Sequence, residues 1–148
     1  MKRLWKLLEG DDGVMPISDT IILLMVVKIC GMVSMSRLHK IVYILKLKYG
    51  VPLSLSYERP LSIYSDSLEN DVGVLVTFGF LDVQIISSGD YVDRVYRITY
   101  KGDRVLRDIL QDSEAEKLFN KLKSCVRDME SLPVGELVAE AKKFIHKL

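Results

Sequence analysis

Side chains able to do chemistry are sparse in this sequence, and their types point to recognition rather than reaction. His39 and His146 stand far apart, and Cys30 and Cys125 are separated by most of the chain, so no cluster has the spacing of a metal site. Serines and aspartates are plentiful, but none sits in a nucleophile-elbow pattern and only those two histidines could act as a base. A Gly-x-x-x-x-Gly-Lys phosphate loop is missing. Neither catalytic nor metal-ligating residues are expected, and no cofactor is implied. The sequence does hold a group of short polar residues, Ser65, Ser67, Asn70 and Thr77, within one segment of helical periodicity. Such groups can reach base edges in a DNA groove, and Asn can bond adenine bidentately. Lys40, Arg94 and Arg97 flank them in sequence and are cations of the kind that contact phosphate. An ordinary exposed helical Asn and a solvated set of cations account for the same residues, and that alternative stays open here.

The elements that must position these residues follow from caps and periodicity. Ser18 can cap a helix over Asp19 to Cys30, whose apolar positions run nearly all round it and which Gly31 stops. Ser34 or Ser36 can cap a second, carrying Leu38, Ile41, Val42, Leu45 and Tyr49 at three-to-four spacing, with Gly50 as its stop. The stretch from Val51 to Tyr64 reads as a loop with one short strand near Leu53 to Tyr57. Ser65, or Asp66 in a capping box with Glu69, opens a third helix with Leu68, Val72, Leu75 and Phe78 on one face and Gly79 as its stop. The period then changes to two: a strand over Phe80 to Ile86, turn chemistry at Ser87-Ser88-Gly89-Asp90, and a returning strand over Tyr91 to Tyr100. Helices follow over Gly102 to Leu110, from a capping box at Ser113-Glu116 to about Glu130, and from Pro133 to Leu148.

Three helices followed by a β-hairpin is the order of a winged helix-turn-helix, in which the third helix reads the major groove and the hairpin is the wing. The expected fold is α+β, mostly helical, with a winged-helix core and two extra C-terminal helices. Ser65-x-x-Leu68-x-x-Asp71-Val72-x-x-Leu75-x-x-x-Gly79-x-Leu81 resembles the reading helix and its exit into the wing in PadR- and MarR-like regulators. Tyr96-Arg97-Ile98-Thr99-Tyr100-Lys101-Gly102 is similar to the close of their wing. Leu38 to Leu45, with Tyr49-Gly50 after it, resembles a subgroup of archaeal and bacterial winged-helix proteins and shares something with SocA-like Panacea antitoxin domains. The likeness covers Ile17 to Leu110. It implies a non-catalytic, DNA-binding transcription regulator, with double-stranded DNA as partner. The departure is the long connection from Gly50 to Tyr64, where a DNA-reading helix-turn-helix has a tight turn.

Charge pulls against that expectation. Between Leu61 and Asp93 there is no Lys or Arg, while Asp66, Glu69, Asp71, Asp82, Asp90 and Asp93 all fall there. An acidic reading helix repels the phosphate backbone. DNA binding would have to use a rim built from Arg37, Lys40, Lys46 and Lys48 before this stretch and Arg94, Arg97, Lys101, Arg104 and Arg107 after it. The competing expectation is a protein-protein adaptor or antitoxin whose acidic third helix meets a basic partner.

The C-terminal helices carry heptad seams: Leu118, Leu122, Cys125, Met129 and Leu132 in one, Val134, Leu137, Ala141, Phe144 and Leu148 in the other. They can fold back on their own domain or form a homodimer interface; the expected interface residues are Leu118, Leu122, Cys125, Met129, Leu137 and Phe144. Residues 1–15 read as an N-terminal segment, 16–112 as the winged-helix domain and 113–148 as the helical extension. With 49% hydrophobic and 28% charged residues in 148, and a net charge of +1, the chain can build one core and is not drawn to nucleic acid or membrane by overall charge. The longest apolar run, Ile21 to Val33, is too short for a membrane span, and two unclustered cysteines suit a reducing cytoplasm.

Overall fold

The computed structural model describes residues 18–57 and 63–144. The expected N-terminal segment and the end of the last helix at Leu148 lie outside these residues. The fold is α+β: helices α1 (Asp19–Cys30), α2 (Met35–Leu47), α3 (Asp66–Thr77), α4 (Tyr100–Ile109), α5 (Ser113–Glu130) and α6 (Val134–Lys142) surround a small antiparallel sheet of β1 (Met32–Ser34), β2 (Leu81–Ser88) and β3 (Tyr91–Ile98). The strand order is β1-β3-β2.

Helix α1 is the centre of the molecule. Every side chain from Ile21 to Val27 is buried, as its all-round apolar sequence requires, because α3, α4, α5 and β3 pack against it from different sides. The Ser18 hydroxyl accepts from the Ile21 N–H and opens the helix. Gly31, at φ +77°, closes it by donating to the carbonyls of Val27 and Lys28, a backbone conformation that favours glycine. The chain then adds a strand that local sequence does not announce: Val33 pairs with Tyr96 at the start of α2. Ser34 is both the last residue of β1 and the cap of α2, accepting from the Arg37 N–H at 3.2 Å.

The hairpin closes on Gly89-Asp90, with Ser88 opposite Tyr91 and an unbroken register back to Leu81 opposite Ile98. Gly89 has φ +62°, the sign that a two-residue II′ turn requires at its first central position. At its base the sheet buries Leu81, Tyr96 and Val33 against the helices. Three expectations shift. Val51 to Tyr57 alternates buried and exposed residues but joins no strand of the sheet, so its periodicity reflects Leu53, Leu55 and Tyr57 reaching the core rather than ladder pairing. Helix α4 starts at Tyr100 rather than Gly102, because Thr99 caps it by accepting from the Gly102 N–H. Asp112 rather than Ser113 caps α5, accepting from the Ala115 N–H.

Candidate interaction face of helix α3 and the hairpin

Helix α3 is tied at its start to α2. Ser65 is fully buried: its hydroxyl accepts from the Leu68 N–H at 3.2 Å and its own N–H donates to His39 Nδ1 at 3.3 Å. The His39 ring stacks on Tyr64 at 4.6 Å, and Tyr57 donates its hydroxyl to the His39 carbonyl. His39 is thus a clamp that locks the entry of α3 onto α2, a role that only a long-range contact reveals. The expectation that Ser65 reads DNA bases is corrected: it is enclosed as a helix cap and cannot touch a ligand. Ser67 is half-buried, and its hydroxyl accepts from the Ser56 N–H, pinning the preceding loop. Thr77 is exposed but donates back to the Gly73 carbonyl. Asn70 is exposed near the middle of the stripe that α3 presents, which comprises Asp66, Asn70, Gly73, Val74 and Thr77. That stripe holds a carboxylate, an amide, a hydroxyl and an aliphatic group, and no cation.

The cations expected to form a phosphate rim are engaged within the chain. Arg94 Nη2 pairs with Glu69 Oε1 on α3, and Tyr64 donates its hydroxyl to the same carboxylate. Burial pushes the Glu69 carboxyl up, but the hydrogen bonds from Tyr64 and Arg94 outweigh it and hold the group below its ordinary range. Arg97, two-thirds exposed, lies 3.9 Å from Asp82 on the neighbouring strand. Lys40 is half-buried and donates to the Ser36 carbonyl, and desolvation lowers its pKa. Arg37 reaches across to the end of α5 and donates to the carbonyls of Leu132, Met129 and Glu130, satisfying acceptors that a helix terminus leaves open. Lys46 donates to the Leu55 carbonyl, Lys48 pairs with Glu140 at 2.7 Å, and Lys101 donates to the Phe78 carbonyl at the end of α3. Arg107 meets Asp103, which also accepts from Lys28, and Arg104 lies over the Tyr100 ring.

Hydrogen bonds also fix the hairpin. Asp93 accepts from Ser36 at the start of α2, from Tyr91 and from the Arg94 N–H. Burial raises this carboxyl, and the bonds together bring it below its usual value. On either side of this anchor, Val83, Ile85, Ile86, Tyr91 and Val92 are exposed, so the hairpin above its base is apolar on both faces. The apolar types of these residues are readable in the sequence, but a period of two does not tell that they stay exposed.

The C-terminal seams are occupied at home. Leu122, Cys125 and Met129 of α5 and Leu137 of α6 are buried within the single chain, where α5 covers α1 and α6 lies on α2. Leu118 and Phe144 are half-buried. Contact of the four buried side chains with a second copy would require α5 and α6 to leave their own core. Both cysteines are free thiols; burial pushes Cys30 up to about 11 and raises Cys125 as well, which suppresses the nucleophilic thiolate. Among the described residues no three His, Cys, Asp or Glu side chains converge as a metal site would need, and no helix is long and apolar enough to cross a membrane.

Comparison with known proteins finds no family model, curated protein or solved structure that matches the chain.

Proposed function

We propose that this chain is a non-catalytic winged-helix module that binds a protein partner through the exposed stripe of α3 and the adjoining hairpin. The element order helix–strand–helix–helix–strand–strand with sheet order β1-β3-β2 supports the winged-helix reading. The observation that carries the protein-contact reading is electrostatic. Asp66 is the formal charge on the presented stripe of α3, and Arg94 on the hairpin is paired with Glu69. Phosphate contacts supply most of the affinity of DNA-binding modules, and each needs a cation that can leave its present partner. Here Arg37, Lys46, Lys48 and Lys101 hold parts of the fold together, so recruiting them would cost stability. A basic protein surface fits the acidic and apolar character of the face better than a duplex does. The two free thiols fit a reducing cytoplasm.

A winged-helix transcription regulator that contacts double-stranded DNA is the second reading, favoured by the element order and by the exposure of Asn70 and Arg97. A mobility-shift titration on mixed-sequence duplex at low and moderate salt separates the two. The protein-contact reading expects no retardation for wild type and the appearance of a shift in Asp66→Lys/Asn70→Lys. A photo-crosslinking residue at Asn70 should then form a discrete adduct with a protein in the source cells, while the same group at exposed Glu116 on α5 should not. A salt-dependent shift of wild type that weakens in Arg97→Ala would instead establish the DNA reading.

A further inference from the structure

β2 is, with β1, one of the two edge strands of the sheet, and among the described residues no further strand pairs with its free side. Natural edge strands are blunted by lysines, prolines, bulges or brevity. β2 has none of these: it runs eight residues, pairs with β3 without a bulge, and its formal charge is confined to Asp82 near one end. All residues from Asp82 to Ser88 are exposed, with Ile85 at 69% and Ile86 at 44% of their full accessibility. In a two-residue hairpin the closing pair, here Ser88 and Tyr91, exchanges hydrogen bonds with each other, and hydrogen-bonded and non-bonded pairs alternate from there. The N–H and C=O groups of Val83, Ile85 and Ser87 therefore point away from β3, toward the open edge.

We propose that two copies of this chain pair antiparallel along β2, joining their sheets into one across a two-fold axis at Ile85. In that register Ile85 lies opposite Ile85 of the second copy, Val83 opposite Ser87, Gln84 opposite Ile86, and Asp82 opposite Ser88. The outward main-chain groups of Val83, Ile85 and Ser87 find partners, and the most exposed isoleucine covers its own counterpart. No like charges are opposed, whereas a parallel pairing would set Asp82 beside Asp82. Read antiparallel, the strand meets its own copy with its one formal charge, Asp82, set against the uncharged Ser88 and its most exposed apolar side chain covered. The closed two-fold occupies the β2 edge of both copies and leaves only the three-residue β1 at each end of the joined sheet, so it stops at a dimer. The inference does not rest on the reading of α3; it assigns the outer edge of β2 to the second copy and leaves the rest of the hairpin to the partner of α3.

Size exclusion with light scattering on the full chain tests it. Wild type at high micromolar concentration should run at the mass of a dimer. Ile85→Lys and Ile85→Glu, each alone, should run at half that mass because like charges meet across the axis, and an equimolar mixture of the two should return to the dimer. Val134→Lys, at an exposed apolar position on α6, should leave the dimer intact. Thermal melts by circular dichroism should show both Ile85 variants folded, as the exposure of this side chain requires. If either is not, Ser87→Pro, which deletes an outward N–H on an edge that tolerates proline, takes its place and should give the monomer mass. A monomeric wild type, a dimer that persists in Ile85→Lys, or a mixture that stays monomeric would each overturn the proposal.

Discussion

Gly102→Ala probes the junction that sets α4 against the exit of α3. A Cβ at this position would lie 2.2 Å from the Phe80 carbonyl oxygen, and 2.9 Å from both the Phe80 carbonyl carbon and Ile98 Cγ1. Carbon–oxygen contacts settle at about 3.3 Å or more, so the start of α4 would have to retreat by about 1 Å. The obstacle cannot rotate away, because the Phe80 carbonyl is main chain and already accepts from the Thr99 N–H at 3.0 Å. Nor can α4 slide freely: Thr99 donates to the Gly79 carbonyl at 2.6 Å while capping Gly102. Overpacking of this sort costs about 1–3 kcal/mol, and occasionally more. Alanine returns at most about 1 kcal/mol through helix propensity, less in a first turn. The steric cost wins, and urea unfolding followed by circular dichroism should show Gly102→Ala destabilised by about 1–3 kcal/mol. Gly73→Ala is the matched control, since a Cβ there meets nothing within 4 Å; it should gain about 0.5–1 kcal/mol. A Gly102→Ala midpoint at or above wild type, alongside the expected gain at Gly73, would mean that α4 is not docked on Phe80.

Two further outcomes follow from the same packing. Leu75, fully buried on the inner side of α3, should cost about 2–5 kcal/mol as Leu75→Ala in the same urea assay. Glu69 gives a pH dependence with a defined sign: its carboxyl is held below its ordinary value in the folded chain, so its stabilising contribution is present above the usual carboxylate range and is lost as pH falls through the lowered value. Thermal melts should therefore show wild type losing stability faster than Glu69→Gln on acidification below about pH 4.5, and parallel pH profiles would refute the Arg94–Tyr64–Glu69 cluster.

The helices were legible where a side chain beside the helix end decides that end. Ser18, Ser65, Gly31 and Gly79 act within a turn of their own position, and the observed limits of α1 and α3 fall where those residues put them. The Gly89-Asp90 turn is equally local. β1 was not legible, because three residues with no alternation, Met32 to Ser34, become a strand only by meeting residues 95–97. Val51 to Tyr57 misled in the opposite way: alternate burial satisfies a period of two without any ladder, since its apolar side chains have only to reach the core.

The candidate site was harder to read for a physical reason that applies to each of its charges. A cation's use depends on the acceptor that comes nearest to it, and here that acceptor is far away in sequence. Arg37 serves the carbonyls at residues 129–132, Lys48 serves Glu140, and Arg94 serves Glu69. Counting Lys and Arg along the chain therefore overstates the positive charge offered to a ligand, and counting Asp and Glu overstates the acidity of α3, because Arg94 and Tyr64 engage Glu69 and the exposed stripe carries Asp66 as its formal charge. The heptad seams make the same point for apolar groups. Spacing of three and four identifies a stripe that must be covered, but α1 and α2 cover it as well as a second copy would, and they are present at a far higher effective concentration. Among the described residues, the outer stripe of α3 stays exposed and the open edge of β2 meets no other strand, so both are open to contact between molecules.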